Sequence, residues 1–377
     1  MSSAPSRAPL PSSYEGLHAR AHNLVRSGDV EGAIALYRRL VERLLRLSDQ
    51  ILERRPELRD LHRRARLELA SLLHQMGRYA EALEVEEVLL DTHPEEAEHW
   101  RRDLAVFRIA KGEVQEGLAE LRSLAEEDPE EPQGWLILGT EARMEGQFVE
   151  SREALEQALD LCRAQDCEDM ANIHYQRFLL YRDMRQVDEA LAAWEEALRL
   201  DPEIIQTIRQ VYTALTEAGR YSEALRYVDR DPNALQAGYQ RGLIASLTGN
   251  LAQAKEEWRQ VAGLDPNQYE YGHDDWVESV LRLGDPEPAL EWLQESLPQY
   301  GTPRLLVLSG IGWAMRGDSD LAARLFQQAI NILRRQRPPK KKLESADWRL
   351  LDSLVTDEEA RKALKSYFAV VETIWGR

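Results

Sequence analysis

One phrase recurs along this chain, and its spacing restricts the fold more than any other feature. A small residue, usually glycine, is followed after two or three positions by an acidic residue, a small residue and an apolar one. It reads Gly28-Asp-Val-Glu-Gly-Ala33-Ile, Gly77-Arg-Tyr-Ala-Glu-Ala82-Leu and Gly112-Glu-Val-Gln-Glu-Gly117-Leu, and it returns from Gly146, Arg185, Gly219, Gly249, Gly284 and Gly317. The intervals are 49, 35, 34, 39, 34, 30, 35 and 33 residues. Glycine at this place ends a helix, because it enters the left-handed conformation without a Cβ penalty. The acidic residue after it favours the start of the next helix, at the positive end of the dipole. The small residues Ala33, Ala82, Ala190, Ala224, Ala254, Ala289 and Ala322 let two helices approach closely. Asp128-Pro129, Asp201-Pro202, Asp265-Pro266 and His93-Pro94 then stop the second helix. The pattern predicts consecutive helix pairs.

Composition agrees with an all-helical array. Hydrophobic residues are 43% of the 377, enough for a continuous core, but only 7% are aromatic. No alternating stretch reads as a strand. A formal charge of −18 and a pI near 5.0 argue against nucleic acid as a partner and against adhesion to anionic membranes. No apolar run reaches the roughly 20 residues that span a bilayer, and the first residues lack a signal-peptide core. The expected location is the cytoplasm, and the excess of Arg over Lys suggests a bacterial source. Cys162 and Cys167 are too few for a disulfide framework and read as reduced or incidental.

A period near 34 residues is that of the tetratricopeptide repeat, and over residues 14–336 the chain resembles that family. Trp135, Leu138 and Gly139 match its Trp-x-x-Leu-Gly, with Phe148, Ser151, Leu155 and Ala158 following. Ala190, Trp194, Ala197 and Pro202 occupy the small, aromatic, small and proline places of the next copy. Gly242, Ala254, Trp258 and Pro266 do so later, as do Gly310, Ala322, Phe326 and Ala329. The resemblance implies a right-handed superhelical solenoid of about nine helix pairs, turning near residues 28, 77, 112, 146, 185, 219, 249, 284 and 317.

Three intervals depart from the period. The first, of 49 residues, predicts elongated helices, with Leu40, Leu44, Leu47 and Ile51 continuing one apolar stripe. The interval of 39 predicts a longer loop over Leu161 to Met170. The interval of 30 predicts a shortened helix ending near Asp229-Arg-Asp-Pro232. Residues 1–13, rich in Pro and Ser, read as a disordered tail. Residues 337–342 read as a basic linker, the alternative being a docking patch. Residues 343–377 read as C-terminal capping helices. Thr356-Asp-Glu-Glu359 forms a capping box there, and Ala360, Leu364, Tyr367, Phe368, Val371, Ile374 and Trp375 lie on one helical face.

In the family, the first helix of each repeat lines a concave groove. The resemblance carries its ligand positions onto His18, His22, Arg26, Arg64, His99, Arg102, Arg143, Arg182 and Arg209, with His74, Arg282 and Arg304 in further slots. The acids among these positions are Glu15, Asp183, Glu217, Asp274 and Glu278. Arg pairs bidentately with carboxylates, so the lining points to a protein or peptide partner with an acidic segment, received by the N-terminal half. The alternative is that these arginines pair with acids on adjacent helices. The carboxylate clamp that grips chaperone tails is not matched, since its slots hold His18, His22 and Glu68.

Catalytic signatures are missing. His18 and His22 stand four apart without a following carboxylate or a third ligand, so they read as a surface pair rather than a metal site. No phosphate loop, nucleophile elbow or CxxC pair is present, and no cofactor is expected. The sequence reads as an interaction scaffold. A peptide-signal sensor acting on a separate effector is the alternative, and an enzyme the weakest reading.

Overall fold

A computed structural model describes residues 13–92, 97–300, 302–333 and 354–375. These residues form helices, two short 3₁₀ segments and no strand. The chain divides into two compact units, Met1–Pro129 and Glu130–Arg377. The first holds α1 (Tyr14–Arg26), α2 (Val30–Leu45), α3 (Asp49–Arg54), α4 (Pro56–Gln75), α5 (Tyr79–Thr92), α6 (Ala97–Lys111) and α7 (Val114–Glu127). The second begins with α8 (Pro132–Met144), α9 (Phe148–Gln165), α10 (Met170–Asp183), α11 (Val187–Leu200), α12 (Ile208–Glu217) and α13 (Tyr221–Val228). It continues with α14 (Ala234–Leu247), α15 (Leu251–Ala262), α16 (His273–Arg282), α17 (Glu287–Tyr300), α18 (Pro303–Arg316) and α19 (Ser319–Leu333), and ends with α20 (Glu358–Trp375).

Every expected turn takes the left-handed conformation. The eight turn glycines have φ from +71° at Gly77 to +109° at Gly112, and Arg185, in the ninth turn, has +61°. Nine helix pairs among the described residues close on these turns. The small residue that follows is buried in each pair, including Gly117 and Ser151. Ser151 fits because its hydroxyl donates to the Gly139 carbonyl at 2.7 Å. The partner positions are equally tight. A Cβ on Gly242 would stand 2.4 Å from the Trp258 indole, and one on Gly310 would stand 2.5 Å from the Phe326 ring.

The irregular intervals agree with expectation at the third and depart from it at the first two. The 49-residue interval does hold a long helix, α4. The apolar stripe, however, breaks after Leu44. α2 ends at Leu45, α3 intervenes, and Ile51 is 42% exposed. Arg46 to Ser48 interrupt the helix, and Pro56, which lacks an N–H, fixes the start of α4 at a position where none is needed. The 39-residue interval lengthens α9 to 18 residues instead of opening a long loop. At its end Asp166 is left-handed, and Cys162 and Cys167 are joined in a disulfide across the helix terminus. α13 is short, with 8 residues, and stops before Asp229.

At the C-terminal end, Val355, Ala360, Leu364 and Tyr367 join the core formed by Phe326 and Ile330 of α19. Asp357, rather than Thr356, caps α20, its carboxylate accepting the Ala360 N–H at 2.8 Å. The side chains of Phe368, Val371, Ile374 and Trp375, residues 1–12 of the expected tail, His93-Pro94 and the basic linker 337–342 lie outside the described residues.

Two substitutions test this packing. Arg185→Gly removes the Cβ strain of a left-handed arginine and should stabilise the second unit by about 0.5–1 kcal/mol. Gly242→Ala should destabilise it by about 1–3 kcal/mol through overpacking against Trp258. Urea midpoints at constant m-value read both changes.

Candidate functional site

In the second unit the groove positions come together, and they are consumed by one another. Arg143 of α8 donates to Asp183 of α10 at 2.8 Å, with both side chains nearly buried at 7% and 6% exposure. Asp183 also accepts from Arg182 at 2.9 Å. Arg182 reaches Gln210 of α12, and Gln210 donates to the Tyr175 hydroxyl at 2.8 Å. The Arg182 guanidinium lies 5.7 Å over the Phe178 ring.

A second cluster follows on α12, α14, α16 and α18. Arg209 donates to Asp275 Oδ1 at 2.7 Å, an ion pair that reaches from α12 to α16 past α14. Arg304 of α18 bridges Asp274 at 3.0 Å and Glu278 at 2.7 Å. Arg282 also holds Glu278, at 2.8 Å through Nε, and rests 5.1 Å over the Trp258 ring. Tyr239 of α14 donates to the same carboxylate at 2.7 Å. Three arginines meet three acids, so the cluster is balanced. Burial presses on Asp274, but Arg209 and Arg304 outweigh it and hold its carboxyl below the usual range. Asp275 is held well above that range, by burial first and then by Asp274 and Glu278, against the pull of Arg209.

The first unit is different. His18 sits edge-on to Tyr37 at 5.6 Å, and burial, followed by the charge of Arg64, lowers its pKa. Glu68 opposes this, which places His18, His22, Arg64 and Glu68 in one electrostatic neighbourhood. Burial and Glu68 push the Tyr37 hydroxyl up to about 12. His22 and Arg26 are exposed, and neither has an ion-pair partner among the described residues. Arg64 pairs with Asp60 on its own helix at 3.0 Å, with both side chains about half exposed at 52% and 47%. Arg102 is engaged by a partner. The His99 side chain lies outside the described residues.

The sequence points to Arg143, Arg182 and Arg209 but not to Gln210 and Asp275, which hold Arg182 and Arg209, nor to Tyr175 and Tyr239, which hold Gln210 and Glu278. The Asp274-Asp275 doublet resembles ordinary first-turn acids favoured by the helix dipole, which concealed its role. Glu86 was missed as well. It is 2% exposed on α5, its Oε2 has no hydrogen-bond partner, and burial with Asp103 raises its pKa to about 8. Its place four residues after buried Ala82 was the available signal. Among the described residues no three His, Cys, Asp or Glu side chains gather as a metal site, and no helix is long and apolar enough to cross a membrane.

Comparison with known proteins matches part of the chain to a family model. The family model described as tetratricopeptide repeat matches residues 18–97. No curated protein matches the chain. Among solved structures it is similar to a tetratricopeptide repeat protein from Parabacteroides merdae, at 14% identity, covering 72% of this chain and 98% of that one, with a TM-score of 0.44. It is also similar to the apo quorum sensor NprR of B. thuringiensis, at 14% identity, 86% and 100% coverage, and a TM-score of 0.43. For pilF of Pseudomonas aeruginosa the values are 19%, 58% and 97%, and 0.40.

Two measurements probe these clusters. Glu278→Ala strands Arg282 and Arg304 and should cost the second unit about 3–5 kcal/mol in denaturant unfolding. Glu86 binds its proton more tightly folded than unfolded, so stability should fall as pH rises from the unfolded value near 4.5 to the folded value near 8. Glu86→Gln should flatten that slope and raise Tm more at pH 8 than at pH 4.5.

Proposed function

We propose that this chain is a tetratricopeptide-repeat protein, a non-catalytic scaffold that receives an acidic segment of a partner on the inner face of its first unit. The observation that carries this reading is the contrast in pairing. The inner-face arginines of the second unit, Arg143, Arg182, Arg209, Arg282 and Arg304, are all engaged by its own acids or amides. In the first unit His22 and Arg26 stand exposed without ion pairs. Beside them, Arg64 holds only an exposed pair, and such pairs contribute about 0–1 kcal/mol. Arg64 can exchange Asp60 for a partner's carboxylate at little cost.

His18 gives the reading a pH signature. Burial and Arg64 keep it neutral in the free protein, and an arriving carboxylate favours its protonated form. Binding then takes up a proton and tightens as pH falls.

The test is capture from native lysate on the immobilised full chain, with partners identified by mass spectrometry, followed by titration of the bound segment. His22→Glu combined with Arg26→Glu should weaken the captured partner at least tenfold while leaving the thermal melt unchanged. Affinity should be higher at pH 6 than at pH 8. Undiminished capture by the double variant would sink this reading.

A further inference from the structure

The 49-residue first interval places arginines where the repeat itself has no use for them. From Arg38 to Arg66 the sequence holds ten arginines and five acids, within a chain of net charge −18. Six of the ten are occupied. Arg38 pairs with Glu81, Arg55 with Glu57, and Arg63 and Arg64 with Asp60. Arg66 is buried between His62 and the Val85 carbonyl, and Arg59 has a partner. Arg39, Arg43, Arg46 and Arg54 have no ion-pair partner among the described residues, nor does neighbouring Glu42.

Three of these four share a face. Arg39, Arg43 and Arg46 follow one another at i, i+4 and i+7 along the end of α2, on a different helix from His18, His22 and Arg26 of α1. Arg43 and Arg46 line a depression of about 410 Å³ together with Tyr14 and Leu47. Around the break that follows α2, Leu45 is 50% exposed and Ile51 is 42% exposed. The arginine stripe therefore runs along the edge of this depression, at the end of α2.

We propose that this face of α2 docks an extended acidic segment of a partner protein, its alternate carboxylates turned toward the arginines. The spacing suits it. Arginines three and four residues apart on a helix are separated by about 5–6 Å, and alternate residues of an extended segment by about 6.8 Å. Each guanidinium can take a carboxylate in a two-point contact, because alternate side chains of an extended segment share one face.

Charge decides among occupants. Residues 1–12 contain Arg7 and no acid, so they do not complement the patch. The chain as a whole carries a net charge of −18, which disfavours an extended anionic surface such as a bilayer or a duplex. A short segment meets the patch alone, because interactions are screened beyond about 8–10 Å at physiological salt.

The proposal is independent of the inner-face reading and is tested directly. The probe is a fluorescent peptide of alternating Glu and Leu, titrated by anisotropy against the full chain, with a Lys/Leu peptide as control. Saturable binding should weaken at least tenfold in Arg39→Glu/Arg43→Glu/Arg46→Glu and tenfold or more between 50 and 300 mM salt. His22→Glu/Arg26→Glu should leave it unchanged. The milder Arg39→Gln/Arg43→Gln/Arg46→Gln set serves if the reversed set fails to fold. Equal binding by the triple variant, or loss confined to the inner-face variant, overturns the proposal. So does binding of phosphatidylserine vesicles or of a DNA duplex in preference to the peptide. Concentration-dependent self-association that the triple variant abolishes would reassign the patch to a second copy and overturn it too.

Discussion

Everything in this fold depends on a backbone that reverses within two or three residues while two helices remain in contact. That reversal needs a left-handed residue, and the contact needs a residue with almost no side chain a few positions later. Both conditions hold at all nine turns. A pair closed in this way leaves each helix with an apolar face that its partner covers only in part, so the pairs must stack. The buried aromatic residues Trp100, Trp194, Trp258 and Phe326 fill the spaces that the small residues leave.

Stacking in turn decides what charge can do. On the second unit the inner helices lie close enough for arginines to find acids on other repeats, and the burial of those acids makes the pairs obligatory. Removing one partner from a buried pair costs far more than making the pair ever contributes. On the first unit the equivalent positions are more open and their pairs are exposed. Arginine is thus buried in its pair with Asp183 in one unit and about half exposed in its pair with Asp60 in the other.

The array was legible because its demands are local. A positive φ selects glycine, and a close approach selects Ala, Gly or Ser, so both leave a mark in the sequence. Arg185 could be placed only because its neighbours set the frame. The fate of surplus residues was less legible. Extra helix-forming residues lengthened α9 but broke apart between α2 and α4, where Pro56 imposed a new start. Charge pairing was the least legible, because partners such as Arg143 with Asp183 and Arg209 with Asp275 are 40 and 66 positions apart. No periodicity carries that information. Nor does it reveal a carboxyl such as Glu86, which turns into a core built for apolar side chains.

The Arg209–Asp275 pair also bears on how the second unit comes apart. A repeat array in which each element touches only its neighbours behaves as a one-dimensional chain, free to fray from an end one repeat at a time. Arg209 skips a repeat, and Arg304 binds the same acidic turn of α16 from the next one. None of these helices can leave without stranding a charge on another. From α12 to α18 the array is therefore tied into a single cooperative block, and fraying that begins at the C-terminal helix should halt where that block begins.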